Sequence, residues 1–449
     1  MKTFNNQKGI ALLIFVTVLL TATTTVTVKA LNNSSANTQI ARDKITAAAL
    51  AQAKEALIGY AVSVDLSSST RRPGDLPCPD TNNDGITETS CGSGAGSYQE
   101  RRLGRLPWKT LGISDLRDGN GERLWYAVSN NFKYSTRTAC TSAGQSGCLN
   151  SDTVGTISVF ASDGARLNDG GGSTGAVAVI LAPGDILKRT DQPNPQDRSD
   201  TGINNPQNYL DTALGEDNAN FTDSSSTNGF IQGRIKDINN NVILNDQLLV
   251  ISQEDIMRPI QKRVAGEVKN CLVNYALANN NRYPWAAPIT DLSTTYLDNS
   301  GIYFGRIPDR FDNTRTDSGG SLMSNQWGIT CNTHTTYTPD YWWRNWKEMV
   351  FYGLAKNFMP ADSIAPSFPS TCASAGNCLN INNSNTPARF VVIVAGKMLS
   401  NPNQSSRNSN KTNANYYLEG GNQNADQSGG YTFTRGPTSP TFNDIVVFQ

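Results

Sequence analysis

Histidine is almost absent from this chain: His334 is the single example in 449 residues, and only 17% of residues are charged. One imidazole cannot supply a His-rich metal centre. As the only candidate base, His334 lies in the polar run Thr333-His334-Thr335-Thr336, which reads as surface. No Cys-x-x-Cys spacing is present, so the cysteines do not read as a zinc site. No phosphate-binding glycine loop followed by Lys and Ser or Thr occurs either. Lys and Arg (38) balance Asp and Glu (38) without a basic cluster, which excludes nucleic acid as a main partner. Gly171-Gly172-Ser173-Thr174-Gly175 matches a nucleophile elbow in letters only, because a glycine loop here enters a strand where the motif needs strand, serine, helix. The chain is not expected to be an enzyme.

Charge is missing altogether from Ile10 to Val28, and neither Gly nor Pro occurs between Gly9 and Gly59. About 20 apolar residues cross a hydrocarbon core of roughly 30 Å, so this run predicts a transmembrane helix over 10–30 with Lys2 and Lys8 on the cytoplasmic side. Leu50, Ala53, Leu57 and Tyr60 follow at helical spacing, predicting an amphipathic stem continuous with it, about 75 Å in all at 1.5 Å per residue. A secretory signal peptide cut near Val28-Lys29-Ala30 is the competing reading. The apolar run is longer than such a core, and Gly9 lies on its wrong side.

With Lys8-Gly9-Ile10 at the junction, the N-terminus resembles the type IV pilin and type II secretion pseudopilin family. That resemblance implies cleavage by a prepilin peptidase between Gly9 and Ile10, methylation of the new terminus, and packing of the apolar helix among other pilins or pseudopilins. The family usually carries Glu at the fifth mature position; this chain has Ile14. In that respect it is similar to tip or minor subunits.

Past the stem, the sequence repeats. Tyr60-Ala61 ahead of Arg71 to Asp80 returns as Tyr275-Ala276 ahead of Arg282 to Asp291, pairing Pro73 with Pro284 and Asp80 with Asp291. Gly104-Arg105-Leu106-Pro107 returns as Gly305-Arg306-Ile307-Pro308, and Glu122 to Phe132 as Glu348 to Phe358. The apolar strands 176–182 and 389–395 match, and each copy closes on Asn-Asp before a strand, at Asn245-Asp246 and Asn443-Asp444. The expected fold is α+β: leader 1–9, transmembrane helix 10–30, a first pilin-like lobe 31–254 and a second 255–449, each a helix packed on an antiparallel sheet. The second stem is expected to begin near Pro259.

Eight cysteines in an Asn-, Ser- and Gly-rich chain predict disulfides in an oxidising compartment. Cys140 with Cys148 and Cys372 with Cys378 close matching short loops. The other four are expected to pair within copies, Cys78 with Cys91 and Cys271 with Cys331, other pairings of these four staying open. Asp80, Asn82, Asp84 and Glu88 lie at alternate positions around Gly85, half of an EF-hand-like pattern, and are the candidate calcium ligands; an Asx-rich turn is the plainer reading.

Tyr341, Trp342, Trp343 and Trp346 form a dense aromatic group that reads as a contact surface or as packing on the second sheet. Arg189 to Asn245 and Asn401 to Asn443 read as extended polar surface loops. Together these features predict a single-pass inner-membrane subunit with periplasmic heads that assembles into, initiates or caps a type IV pilus or a type II secretion pseudopilus. Its expected partners are other pilins, the prepilin peptidase and the inner membrane. The alternative is an exported, anchored adhesin outside any filament.

Overall fold

The computed structural model describes residues 37–66, 71–92, 102–134, 140, 148–199, 201–221, 225–317, 319–324, 327, 342–361, 372, 378–382, 384, 387–400, 403–424 and 432–449. Among them are three α-helices: α1, residues 37–62; α2, Gln253–Ala278; and α3, Trp342–Trp346. On α1, Ala49, Leu50, Ala53, Leu57 and Ala61 are buried at three- and four-residue steps, one apolar stripe with a polar face opposite. Helix α2 starts at Gln253 because Ser252 and Asp255 form a reciprocal capping box, which places Pro259 inside the helix instead of at its start. It buries a wider arc, including Ile256, Met257, Ile260, Val264, Ala265 and Val268.

That width reflects two neighbours. Beyond packing on its own sheet, α2 lies alongside α1, with Lys54 Nζ 2.7 Å from Asp255 Oδ2 and the Arg263 guanidinium donating to the carbonyls of Val62 and Val64. The contacts advance in the same direction along both helices, so α1 and α2 run parallel. One continuous apolar cluster contains residues of α1, α2 and both large sheets.

Each large sheet is a four-stranded antiparallel meander. The first comprises β1 (Leu103–Arg105), β2 (Trp125–Val128), β3 (Ala178–Ala182) and β4 (Gln247–Ile251), in the order β4-β3-β2-β1. The second comprises β5 (Phe304–Arg306), β6 (Val350–Leu354), β7 (Phe390–Val394) and β8 (Ile445–Phe448), in the order β5-β6-β7-β8. Registers also agree: Gly104 faces Tyr126 and Tyr126 faces Ile180, while Gly305 faces Tyr352 and Tyr352 faces Val392. Both tyrosines are fully buried, and each hydroxyl donates to a proline carbonyl, Pro77 at 3.2 Å and Pro284 at 3.1 Å.

These bonds correct the repeat as read from sequence. Pro77, not Pro73, is the counterpart of Pro284. Asp80 bridges Arg105 where Ala287 bridges Arg306, so Ala287 and not Asp291 occupies the position of Asp80.

The expected long N-terminal transmembrane helix must be corrected as well. Its residues, 10–30, lie outside those described, and among the described residues no helix is long and apolar enough to cross a membrane. The first turns of α1 carry Arg42, Asp43 and Lys44, and α2 carries Arg258, Lys262 and Arg263. Such charges are costly in hydrocarbon. The described chain is a mixed α+β structure of small sheets with no spanning helix, and it gives no support to a single-pass inner-membrane placement.

Gly104 and Gly305 are matching points of close backbone approach in the two sheets. A Cβ on Gly104 would lie 2.6 Å from the Asp80 carbonyl oxygen, and one on Gly305 would overlap that of Ala287. Gly104→Ala and Gly305→Ala are each expected to cost about 1–3 kcal/mol, the usual penalty of overpacking, measurable as a lower urea midpoint.

Candidate functional site

The two polar loop regions after β3 and after β7 do not trail over the surface. Each folds back and is held by the same set of buried polar side chains. Asp246, fully buried just ahead of β4, accepts the Asp211 N–H and the Asn218 amide on Oδ2, both at 2.8 Å. Asp211 in turn accepts the Asn245 N–H at 2.8 Å and Gln196 Nε2 at 2.9 Å, and Gln196 Oε1 accepts the Leu187 N–H.

The second lobe repeats the arrangement. Asp444 Oδ2 accepts the Glu419 N–H at 3.0 Å and the Asn422 amide at 2.9 Å; Glu419 accepts the N–H groups of Asn443 and Asp444 and Gln404 Nε2; and Gln404 Oε1 accepts the Leu399 N–H. Arg198 Nη1 donates to Gly184 O at 2.8 Å and Arg407 Nη1 to Gly396 O at 3.0 Å. The Arg105 guanidinium lies 3.9 Å from the Tyr209 ring centroid and that of Arg306 lies 4.5 Å from Tyr417. Sequence reading missed this clasp because its members are scattered. The faint signal was Tyr209-Leu210-Asp211 against Tyr417-Leu418-Glu419, with Asn218 and Asn422 further along.

Asp246 Oδ1 and Asp444 Oδ1 are both buried with no hydrogen-bond partner. Burial, reinforced by the adjacent Asp211 or Glu419 carboxylate, pushes both aspartates well above the usual carboxylate range. Burial also pushes Asp211 up to about 6. A proton on the free oxygen removes the charge that the dry site cannot solvate.

A second polar array joins the lobes. Asn345, fully buried on α3, accepts Arg72 Nη1 at 3.2 Å and the Leu149 N–H at 2.8 Å through Oδ1, and its carbonyl accepts the Asn150 amide. Ser151 Oγ donates to Ala395 O at 2.8 Å, and Asp152 accepts the Met398 N–H at 3.0 Å and the Arg407 guanidinium at 2.7 and 2.9 Å. Lys397 Nζ reaches Ser173 O at 2.9 Å. The glycine-loop serine therefore serves this seam through its backbone.

The disulfides Cys78–Cys91, Cys140–Cys148 and Cys372–Cys378 are present, and Cys271 is disulfide-bonded. Cys331, like His334, Tyr341 and the Gly9-Ile10 junction, lies outside the described residues. Trp342, Trp343 and Trp346 are only 1%, 5% and 0% exposed, so of the two readings of the aromatic group, contact surface or packing, these three side chains take the packing around α3.

The Asp80 loop turns its oxygens onto its own backbone. Asp80 accepts the N–H groups of Asn82, Asn83, Asp84 and Gly85, Asn82 that of Asp84, Asp84 that of Ile86, and Glu88 both the N–H and hydroxyl of Thr81. Among the described residues, no three His, Cys, Asp or Glu side chains converge as a metal-binding group. The arrangement is that of an Asx-rich turn pinned by Cys78–Cys91.

Two outcomes are expected. An unfolded aspartate titrates near 4, whereas burial raises Asp211 to about 6 and holds Asp246 well above the usual range, so the folded state keeps protons that the unfolded chain has lost. That stability is fully present below about pH 4 and is lost as pH rises through the folded value. Asp246→Asn, which carries no charge, should therefore lose less thermal stability than wild type between roughly pH 4 and pH 7 in paired melting curves. Asn345→Ala strands the Leu149 N–H and should cost about 1–3 kcal/mol in urea unfolding.

Compared with known proteins, the chain matches no family model, no curated protein and no solved structure.

Proposed function

We propose that this chain is a non-catalytic assembly subunit of the type IV pilin and pseudopilin kind, cut behind Gly9 and joined to other subunits to initiate or cap a filament. The observation that carries this reading is the Lys8-Gly9-Ile10 junction directly ahead of 19 uncharged residues, with Ile14 where an internal subunit would carry Glu. Two structural features support it. The lobes share one apolar cluster and a polar seam, as a unit that bears load or seats neighbours would require. The disulfides fit passage through an oxidising compartment.

A free-standing adhesin draws less support, because the tryptophans that motivated it are buried. Calcium at Asp80, Asn82, Asp84 and Glu88 draws little, since those oxygens already serve the turn.

Mass spectrometry of mature protein should find a terminus at Ile10, methylated, and Gly9→Arg should abolish its formation. A terminus at Leu31, or an unprocessed Met1 in cells with active peptidase, would overturn the reading.

A further inference from the structure

Each lobe has a cleft built in the same way: the first turns of its helix, the turn after its third strand, and the Asn that opens its fourth. In the first lobe, Gln39, Arg42, Asp43, Gly184, Asp185 and Asn245 line a cavity of about 440 Å³. In the second, Glu254, Met257, Arg258, Gly396, Lys397 and Asn443 line one of about 200 Å³. Asn245 Nδ2 donates to Asp185 O at 2.9 Å and Asn443 Nδ2 to Lys397 O at 2.8 Å, so the clefts correspond residue by residue.

Among the described residues, only the second is engaged by the other lobe. Its rim receives the first lobe's segment 150–152, which follows Cys148-Leu149, through the bonds of Ser151 to Ala395 and Gln253 and of Asp152 to Met398 and Arg407. The counterpart segment of the second lobe, 380–382, follows Cys378-Leu379.

Charge is exchanged on both sides of the comparison. In the docked pair an acidic knob, Asp152, enters a basic rim formed by Arg407 and Lys397. In the free pair the knob position is Asn382, whose Oδ1 accepts the Arg435 N–H and which therefore sits beside an exposed arginine. The free cleft has Asp185 in the place of Lys397 and Asp43 in the place of Arg258. Arg198, the counterpart of Arg407, is already neutralised within the lobe by Glu122 at 3.3 Å. Arg42 and Arg234 also line this cleft, and Asp43 already accepts the Gln39 and Gln247 amides; Arg42 holds Asp185 only at 3.5 Å in an exposed pair, so Asp185 is the carboxylate that the rim presents. Ile186, beside Asp185, is 54% exposed, whereas Met398 in the docked cleft lends its N–H to Asp152.

We propose that the first lobe's cleft receives Asn382 and Arg435 of a second copy, repeating between molecules the docking that joins the lobes within one, while Ile381 stays buried in its own lobe. Such head-to-tail contact is heterologous: it extends a row of lobes where the rotation between copies does not close and forms a ring where it does. It goes beyond the filament reading and does not require it: the contact is readable on purified full-length chain whether or not residues 1–9 have been removed.

The test mixes two singly substituted full-length chains, Asp185→Cys and Asn382→Cys, under mild oxidation. A covalent dimer of one copy of each is expected. Its yield should stand about tenfold above that of a control pair carrying Ile238→Cys in place of Asp185→Cys, and should fall by a similar factor when Arg435→Glu is added to the Asn382→Cys chain, because like charges then face each other. Yield equal to the control, or unchanged by Arg435→Glu, would overturn the proposal. So would cross-linking of Asp185→Cys to itself as readily as to its partner. Sedimentation of the cysteine-unaltered chain gives an independent reading: wild type should associate at low salt and dissociate at high salt, Asp185→Lys should remain monomeric at both, and a wild type that is monomeric throughout would sink the idea.

Discussion

A carboxyl group held away from water must find donors or take up a proton, and most of this molecule's loop structure follows from that requirement. Asp246 and Asp444 stand at the start of the last strand of each sheet. Each draws in one Asn amide and one backbone N–H from a loop that sequence alone would leave outside. Once those donors are committed, the rest of the loop is positioned: Tyr209 and Leu210, or Tyr417 and Leu418, become buried, and an arginine can stack on the tyrosine. Buried polar networks of this kind contribute little net stability but penalise every other arrangement, because each alternative leaves a group unsatisfied.

The strands were legible in the sequence because apolar runs such as Val177 to Ala182 and Phe390 to Val394 state their own burial, and the Gly-Arg and Asn-Asp pairs mark matching places beside them. The short disulfides were legible for the same reason: close spacing decides them. The alignment of the proline loops was not, since Pro73 and Pro284 coincide in letters while hydrogen bonds from Tyr126 and Tyr352 tie Pro77 to Pro284. Tryptophans 342, 343 and 346 were ambiguous because an aromatic cluster looks the same whether a sheet or solvent lies over it. The clasp left only that faint trace, because Gln196, Asp211, Asn218 and Asp246 read as ordinary surface residues until the chain brings them together.

The two lobes are alike in topology and unlike in charge. Where the second presents Arg407 and Lys397, it takes an aspartate from the first; where the first presents Arg198, it satisfies that arginine with its own Glu122. Duplicated modules that kept identical surfaces would dock indiscriminately, each lobe onto any other. A change of sign at matching rims restricts which lobe meets which cleft.

Only Ser252 stands between the end of β4 at Ile251 and the start of α2 at Gln253. A pull along the polypeptide would therefore meet no slack between the two halves. Tension passes straight from a strand hydrogen-bonded along its whole length to β3 into a capped helix packed between the second sheet and α1. Yielding would begin by shearing that strand from its neighbour, several bonds loaded at once, and the tandem would resist stretching as one mechanical element instead of lengthening like beads on a string.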